Sequence, residues 1–108
     1  MRIETYGQQM DVTPALRDYV ETKLARLEKH CERPFEVRTQ LSLDKPNHRA
    51  KATVTIAGRT LHADAAAIDM YAAIDLLADK LDRLIKEYRS KQVDHHRGES
   101  AARSDSFG

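Results

Sequence analysis

Apolar and polar residues alternate in four short segments of the chain, a pattern typical of strands that bury one face. The segments are Arg2 to Gln8, Phe35 to Leu43, Ala50 to Ile56 and Thr60 to Ala65. Turn-forming residues, Asp44-Lys45-Pro46-Asn47 and then Ala57-Gly58, separate the last three segments. We therefore expect those three strands to be consecutive and antiparallel, with the first strand standing apart from them in the chain.

Two longer segments show the spacing of helices that bury one stripe of residues. The first is predicted from Pro14, behind the capping residue Thr13, to about His30, and Arg33-Pro34 ends it. Its apolar stripe is Leu16, Val20, Leu24, Leu27 and Cys31. The second helix is predicted to begin near Ile68 or Asp69 and to end at about Lys91. Its apolar face is Met70, Ile74, Leu77, Leu81, Leu84, Ile85 and Tyr88.

The order of these elements, β-α-β-β-β-α, predicts an α+β fold with a four-stranded sheet and two helices packed on one face. The helix between the first two strands can serve as a parallel crossover if those strands are neighbours. Residues 1–91 then form one domain. Residues 92–108 have the polar composition of a disordered tail, and we expect one there.

The composition and charge of the chain limit where the protein can act and how it could bind nucleic acid. The chain has 108 residues, a formal net charge of +1 and one cysteine. It shows no apolar run that could act as a signal peptide or span a bilayer, so we expect a cytoplasmic protein without a membrane partner. So small a net charge means that any nucleic-acid binding must depend on where the charges lie.

No catalytic or cofactor motif is present, so we predict neither an enzyme nor a cofactor, metal or small-molecule substrate. Cys31 ends an apolar stripe and is predicted to be a small buried residue. The adjacent pair His95-His96 lacks the further ligands that a metal site needs. Acidic residues stand at helical spacing from basic ones, and these are interpreted as surface ion pairs, namely Asp79 with Arg83 and Asp82 with Lys86.

Basic residues concentrate beside the apolar stripes of both helices. On a helical wheel of about 100° per residue, one shoulder of the first helix carries Tyr19, Lys23, Arg26 and His30, with Lys29 farther round. One flank of the second helix carries Lys80, Arg83 and Lys91. Lys86 and Arg89 lie toward the other flank and are expected to point partly away from the first helix. Two interpretations stay open at this point. The residues line an interhelical groove that binds phosphates, or they form a solvated helix face balanced by acidic neighbours.

Several segments resemble the ribosome hibernation promoting factor family, which includes the ribosome-associated inhibitor called protein Y. They are the opening strand with Gly7, the run from Val12 to Arg17, the run from Lys23 to Lys29, and Leu61-His62-Ala63. The most specific match is the run from Asp69 to Asp75, followed by the run from Asp79 to Leu84. Together these segments span nearly all of the predicted folded region.

The resemblance implies a fold similar to a double-stranded-RNA-binding domain with an added first strand. It implies binding to the small ribosomal subunit and its rRNA in the decoding channel, where the protein blocks mRNA and tRNA and silences translation in stationary phase or stress. Some family members also promote inactive ribosome dimers together with ribosome modulation factor. The RNA-binding residues implied by the family are Lys23, Arg26, Lys29, Lys80, Arg83, Lys86 and Arg89.

Parts of the chain differ from the family pattern, and other functions stay open. Long members carry a further C-terminal dimerisation domain and protein Y ends in an acidic tail, whereas the tail here is mixed in charge. Asp69 is expected to cap the second helix and Met70 to pack in the core. One alternative is a general double-stranded-RNA-binding module of the same topology. Another is a small enzyme or protein-interaction domain that uses the tail or Cys31.

Overall fold

The computed structural model describes residues 1–31 and 34–101, and the side chains of residues 1–31 and 34–89. Its elements are β1 Arg2–Gln8, α1 Pro14–Ala25, β2 Phe35–Asp44, β3 Asn47–Ile56, β4 Arg59–Ala67 and α2 Met70–Ala101. A 3₁₀ segment, Arg26–His30, continues directly from α1. This order confirms the predicted β-α-β-β-β-α arrangement. Within the described residues, no helix combines the length and the apolar character needed to cross a membrane.

The four strands form one sheet in the order β1-β2-β3-β4. The strand β1 pairs with β2 in parallel, with Thr5 opposite Thr39, and α1 with the 3₁₀ segment supplies the crossover that parallel neighbours need. The pairs β2–β3 and β3–β4 are antiparallel hairpins. At the second hairpin, Ala57 and Gly58 have φ angles of 48° and 80°, a left-handed pair typical of a tight hairpin turn.

Both helices cover the same face of the sheet, as predicted. Side chains on β2 alternate between buried and more exposed positions, and its buried residues are Phe35, Val37, Thr39 and Leu41. The buried apolar residues of α1, α2 and the sheet belong to one core cluster. The largest fully buried side chains from the helical layer are Val20, Leu24, Leu27, Ile74, Leu77, Leu81 and Ile85. The other face of the sheet is therefore left without a covering layer.

Both helices begin at a side-chain cap. The Thr13 hydroxyl accepts the N–H of Leu16 at 3.2 Å, and Pro14 occupies the first helical position. The Asp69 carboxylate accepts the N–H of Ala72 at 2.8 Å. Capping satisfies N–H groups that the first turn of a helix leaves without a partner. The predicted capping roles of Thr13 and Asp69 are thus confirmed.

The helix α2 extends well past its predicted end at about Lys91, because it reaches Ala101. The apolar periodicity that set the prediction stops near Tyr88. The residues that follow contain no proline, and Gly98 is the single glycine before Ala101, so local propensity is compatible with continued helix. The predicted tail therefore begins inside α2, and its last part, residues 102–108, lies outside the described residues.

Candidate nucleic-acid interface

The helix α1 and its 3₁₀ segment lie beside α2, and acidic residues of α2 line the contact. Asp75, Asp79 and Asp82 follow one another at intervals of four and three residues, which places them on one helix face. That face meets the predicted RNA-binding residues Lys23 on α1 and Arg26 on the 3₁₀ segment. The structure thus brings the predicted basic shoulder together with a row of carboxylates.

At the start of this row, Asp75 contacts two residues of α1. It accepts a hydrogen bond from the Tyr19 hydroxyl at 2.7 Å, and the Lys23 ammonium lies 3.4 Å from the same oxygen. The Tyr19 ring also meets the edge of Tyr71, with 4.9 Å between ring centroids. The hydrogen bond from Tyr19, helped by Lys23 and Arg26, lowers the pKa of Asp75 against the opposing effect of burial. Asp75 is therefore a charged partner for α1 at neutral pH.

The middle of the row is an ion pair between Arg26 and Asp79, with 2.6 Å between Nη2 and Oδ1. The sequence had predicted that Asp79 pairs with Arg83 on its own helix, and this prediction is wrong. The Asp79 carboxylate lies on the flank that faces the 3₁₀ segment, where the Arg26 guanidinium reaches it. A contact between helices replaces the expected contact within α2.

The row ends at Asp82, which contacts both helical segments. Its Oδ1 lies 2.6 Å from Nε2 of His30, and its Oδ2 lies 3.1 Å from the Lys86 ammonium. The second contact confirms the predicted pair of Asp82 with Lys86. Burial raises the pKa of Asp82, but the hydrogen bonds from Lys86 and His30 and their charges outweigh it, so the pKa is lowered overall. Asp82 thus holds the 3₁₀ segment against α2.

These contacts change the interpretation of the groove. Lys23 and Arg26 line the interhelical contact as predicted, but each has an aspartate partner there, so the contact itself carries little free positive charge. The sequence did contain the signal for this arrangement, because aspartates at positions 75, 79 and 82 share one face. We call these interhelical contacts the ion-pair row, formed by Tyr19, Lys23, Arg26 and His30 with Asp75, Asp79 and Asp82.

The cations of α2 lie on different flanks from those predicted. The Lys80 ammonium points away from α1 and donates to the backbone oxygen of Asp64 on β4 at 2.6 Å. Lys86 instead lies on the α1 side, as its contact with Asp82 requires. The prediction that Lys86 points partly away from α1 is therefore wrong. Burial raises the pKa of the Cys31 thiol, and the Arg89 charge opposes that rise.

Exposed cations lie close in sequence to the contact between His30 and Asp82. Lys29 precedes His30 and Arg83 follows Asp82, so a single 2.6 Å contact brings both cations to the same end of the helix pair. Among the described side chains, Lys29, Arg83 and Arg89 have no carboxylate partner. Lys86 pairs with Asp82, but its side chain is still 59% exposed. We call Lys29, Arg83, Lys86 and Arg89 the basic end. It has the charge and exposure that binding a phosphate backbone needs.

Comparison with known proteins identifies the family. A family model described as "Sigma 54 modulation protein / S30EA ribosomal protein" matches residues 3–93. The chain belongs to this family. The chain is 44% identical to the ribosome hibernation promoting factor of Azotobacter vinelandii over 96% of its own length and 97% of that protein. These matches confirm the resemblance seen in the sequence.

Solved structures of similar proteins share this fold. The Protein Y N-terminal domain of Thermus thermophilus is 35% identical with a TM-score of 0.76, over 82% of this chain and 99% of that one. A ribosomal subunit interface protein from Coxiella burnetii is 32% identical with a TM-score of 0.74, over 83% of this chain and 99% of that one.

Residues in the segments that carried the resemblance in the sequence have structural roles in this chain. Met70 is buried in the core and Tyr71 packs against Tyr19, while Asp69 caps α2. A Cβ atom at Gly7 would overlap the backbone oxygen of Met10, so this position needs glycine. In the part of the chain that the structure describes, no cluster of three His, Cys, Asp or Glu side chains could hold a metal ion.

Proposed function

We propose that this protein is a ribosome hibernation factor that binds the small ribosomal subunit in the decoding channel and blocks mRNA and tRNA there. The names of its relatives support this role, since the match to the Azotobacter vinelandii hibernation promoting factor spans nearly both chains. The protein would act in the cytoplasm as an occluding factor. Silencing by occlusion needs binding alone, so it needs no catalytic group or cofactor.

The observation that carries the proposal is the basic end. Its four cations lie on the two segments that the contact between His30 and Asp82 joins, and the side chains of that pair are only 14% and 21% exposed. Such a contact fixes the segments that carry the cations before RNA is bound, which reduces the ordering cost of binding. Each phosphate that a cation neutralises releases counterions and adds affinity that falls with salt. Ribosomal RNA would then be recognised mainly by its shape and its phosphates.

The predicted RNA-binding residues have graded roles in this proposal. Lys29, Arg83, Lys86 and Arg89 would contact rRNA directly. Lys23 and Arg26 would contribute at the rim of the ion-pair row, where their side chains are each 38% exposed. Lys80, which lies toward β4, would contact RNA only if the bound surface extends over that flank. Promotion of inactive ribosome dimers, with ribosome modulation factor as a partner, is part of the same proposal.

The direct test is co-sedimentation with ribosomes through a sucrose gradient, with and without ribosome modulation factor. The test variant combines Lys29→Glu with Arg83→Glu, and the charge-matched control combines Lys45→Glu with Arg59→Glu, exposed residues of the sheet and its hairpins. We expect the test variant to lose at least about tenfold in affinity while the control stays within about twofold of wild type. Equal binding by the two variants, both folded by circular dichroism, would reject the basic end as the rRNA contact.

A general double-stranded-RNA-binding module is the second candidate, because cations that contact phosphates do not by themselves read sequence. It predicts that a plain RNA duplex competes with small subunits at comparable concentrations. The hibernation role predicts that a large excess of duplex is needed to displace the subunit. A competition experiment on the same gradient separates the two functions.

A further inference from the structure

The uncovered face of the sheet carries polar side chains arranged in rows across all four strands. The strand registers place one row at Tyr6, Gln40, Lys51 and Asp64. The next row is Glu4, Arg38, Thr53 and His62. Neighbouring strands are about 4.8 Å apart, so residues within a row are adjacent and the two rows form one continuous surface.

A shallow cavity of about 320 Å³ lies on this surface, between the two rows. Its lining includes Tyr6, Arg38, Gln40, Lys51, Thr53 and His62. Tyr6 is 47% exposed, and its hydroxyl is 3.4 Å from the Gln40 side-chain oxygen. His62 Nδ1 lies 3.4 Å from the Thr53 hydroxyl. Two ring systems, an amide and a hydroxyl thus border the cavity, all of them on rigid strands.

The charges at this cavity favour an anion. The carboxylate of Glu4 lies near Arg2 and Arg38, at 3.1 Å and 3.3 Å, and that of Asp64 is 3.7 Å from Arg49. Lys51 is exposed and has no carboxylate partner among the described side chains. Within the two rows, Glu4 and Asp64 are therefore paired, and Lys51 remains as an unpaired positive charge beside Asp64 in the cavity lining.

We propose that this sheet face binds a short segment of single-stranded RNA, separately from the basic end on the helical side. Bases would stack on the rings of Tyr6 and His62, and a phosphate between them would contact Lys51. Aromatic side chains on an open sheet together with cations are the combination that unpaired RNA bases use.

Single-stranded RNA fits this face better than a duplex does. Stacking on Tyr6 and His62 requires exposed base faces, which a duplex hides within its own stack. The rows also cross the whole sheet, which has a width of about 14 Å, enough for several stacked nucleotides. A free mononucleotide would use only part of that width. The protein could then hold an unpaired RNA strand on the sheet while its helices contact folded rRNA.

The test is fluorescence anisotropy of a labelled octauridine with the full chain. The cavity variants are Lys51→Glu and Tyr6→Thr, and Lys45→Glu in the β2–β3 turn is the charge-matched control. We expect each cavity variant to weaken octauridine binding by about tenfold or more, as loss of one stacked base or one phosphate contact does, and the control to stay within about twofold. Lys51→Gln repeats the test without charge reversal, and thermal unfolding verifies each fold.

Two further arms distinguish this site from the basic end. The variant with Lys29→Glu and Arg83→Glu should bind octauridine as wild type does, because those residues lie on the helical side. Uridine monophosphate should compete far more weakly than octauridine. The proposal is overturned if Lys51→Glu, Lys51→Gln and folded Tyr6→Thr bind octauridine like the control. It is also overturned if the helix-side variant loses the binding, or if a blunt RNA duplex of equal length binds more tightly.

Discussion

His30 Nε2 lies 2.6 Å from the Asp82 Oδ1, and this contact joins the 3₁₀ segment to α2. The two side chains are 14% and 21% exposed, so water screens the contact less than it screens the more exposed pair of Arg26 and Asp79. The basic end lies on the same two segments. The same contact therefore stabilises the helix pair and orders the surface proposed to bind RNA.

Removal of the Asp82 carboxylate should lower stability measurably. We expect Asp82→Ala to reduce the free energy of unfolding by about 1.5 kcal/mol, because two charge-assisted contacts are lost from a half-buried position. Asp79→Ala is the matched control. The Asp79 side chain is 65% exposed, so its removal should lower the free energy of unfolding by less than about 0.5 kcal/mol. Urea unfolding monitored by circular dichroism measures both, and equal losses would contradict the role given to Asp82.

The contribution of Asp82 should depend on pH in a defined direction. Its pKa is lowered in the folded state, so the folded protein favours the charged form. The stability it adds is then complete above the unfolded value of about 3.9 and is lost as pH falls through the folded pKa. Wild type and Asp82→Ala can be unfolded with urea at a series of acid pH values. The difference between their free energies of unfolding should become smaller as pH falls. A difference that widened on acidification would reject the assigned direction.

Neutralising Asp79 should strengthen ribosome binding. Asp79→Asn removes the carboxylate that pairs with Arg26 at 2.6 Å and leaves that guanidinium free for a phosphate. We expect affinity for small subunits to rise about two- to fivefold, with a steeper dependence on salt. Filter binding at several salt concentrations measures both quantities. Weaker binding by Asp79→Asn would mean that the ion-pair row is needed to position Arg26.

A buried hydroxyl in the sheet offers a stabilising substitution. Thr39 is fully buried opposite Thr5, and neither hydroxyl has a hydrogen-bond partner in the described part of the chain. Thr39→Val should raise the free energy of unfolding by about 1 kcal/mol, since it removes a buried polar group without changing side-chain shape. Thr53→Val on the uncovered face should change it little. A destabilised Thr39→Val protein would indicate that the hydroxyl is satisfied.

The fold followed from the sequence because its periodicities are strong. Alternation located all four strands, and the caps Thr13 and Asp69 located both helix starts. The sequence was a less reliable guide to which side of α2 faces α1. A helical wheel gives the angle between Lys80 and Lys86 around the helix axis, but it does not tell which of the two lies on the side that meets α1. The partner of Asp79 was missed for the same reason, since interhelical contacts depend on how helices pack. The end of α2 was missed because an apolar pattern can stop before the helix does.

The salt dependence of binding to isolated small ribosomal subunits tests the central claim most directly. The logarithm of the binding constant should fall linearly with the logarithm of salt concentration, because binding releases counterions from phosphates. If Arg83 contacts a phosphate, Arg83→Ala should weaken binding and reduce the magnitude of that slope by about 1. An Arg83→Ala protein with the affinity and slope of wild type would contradict the account.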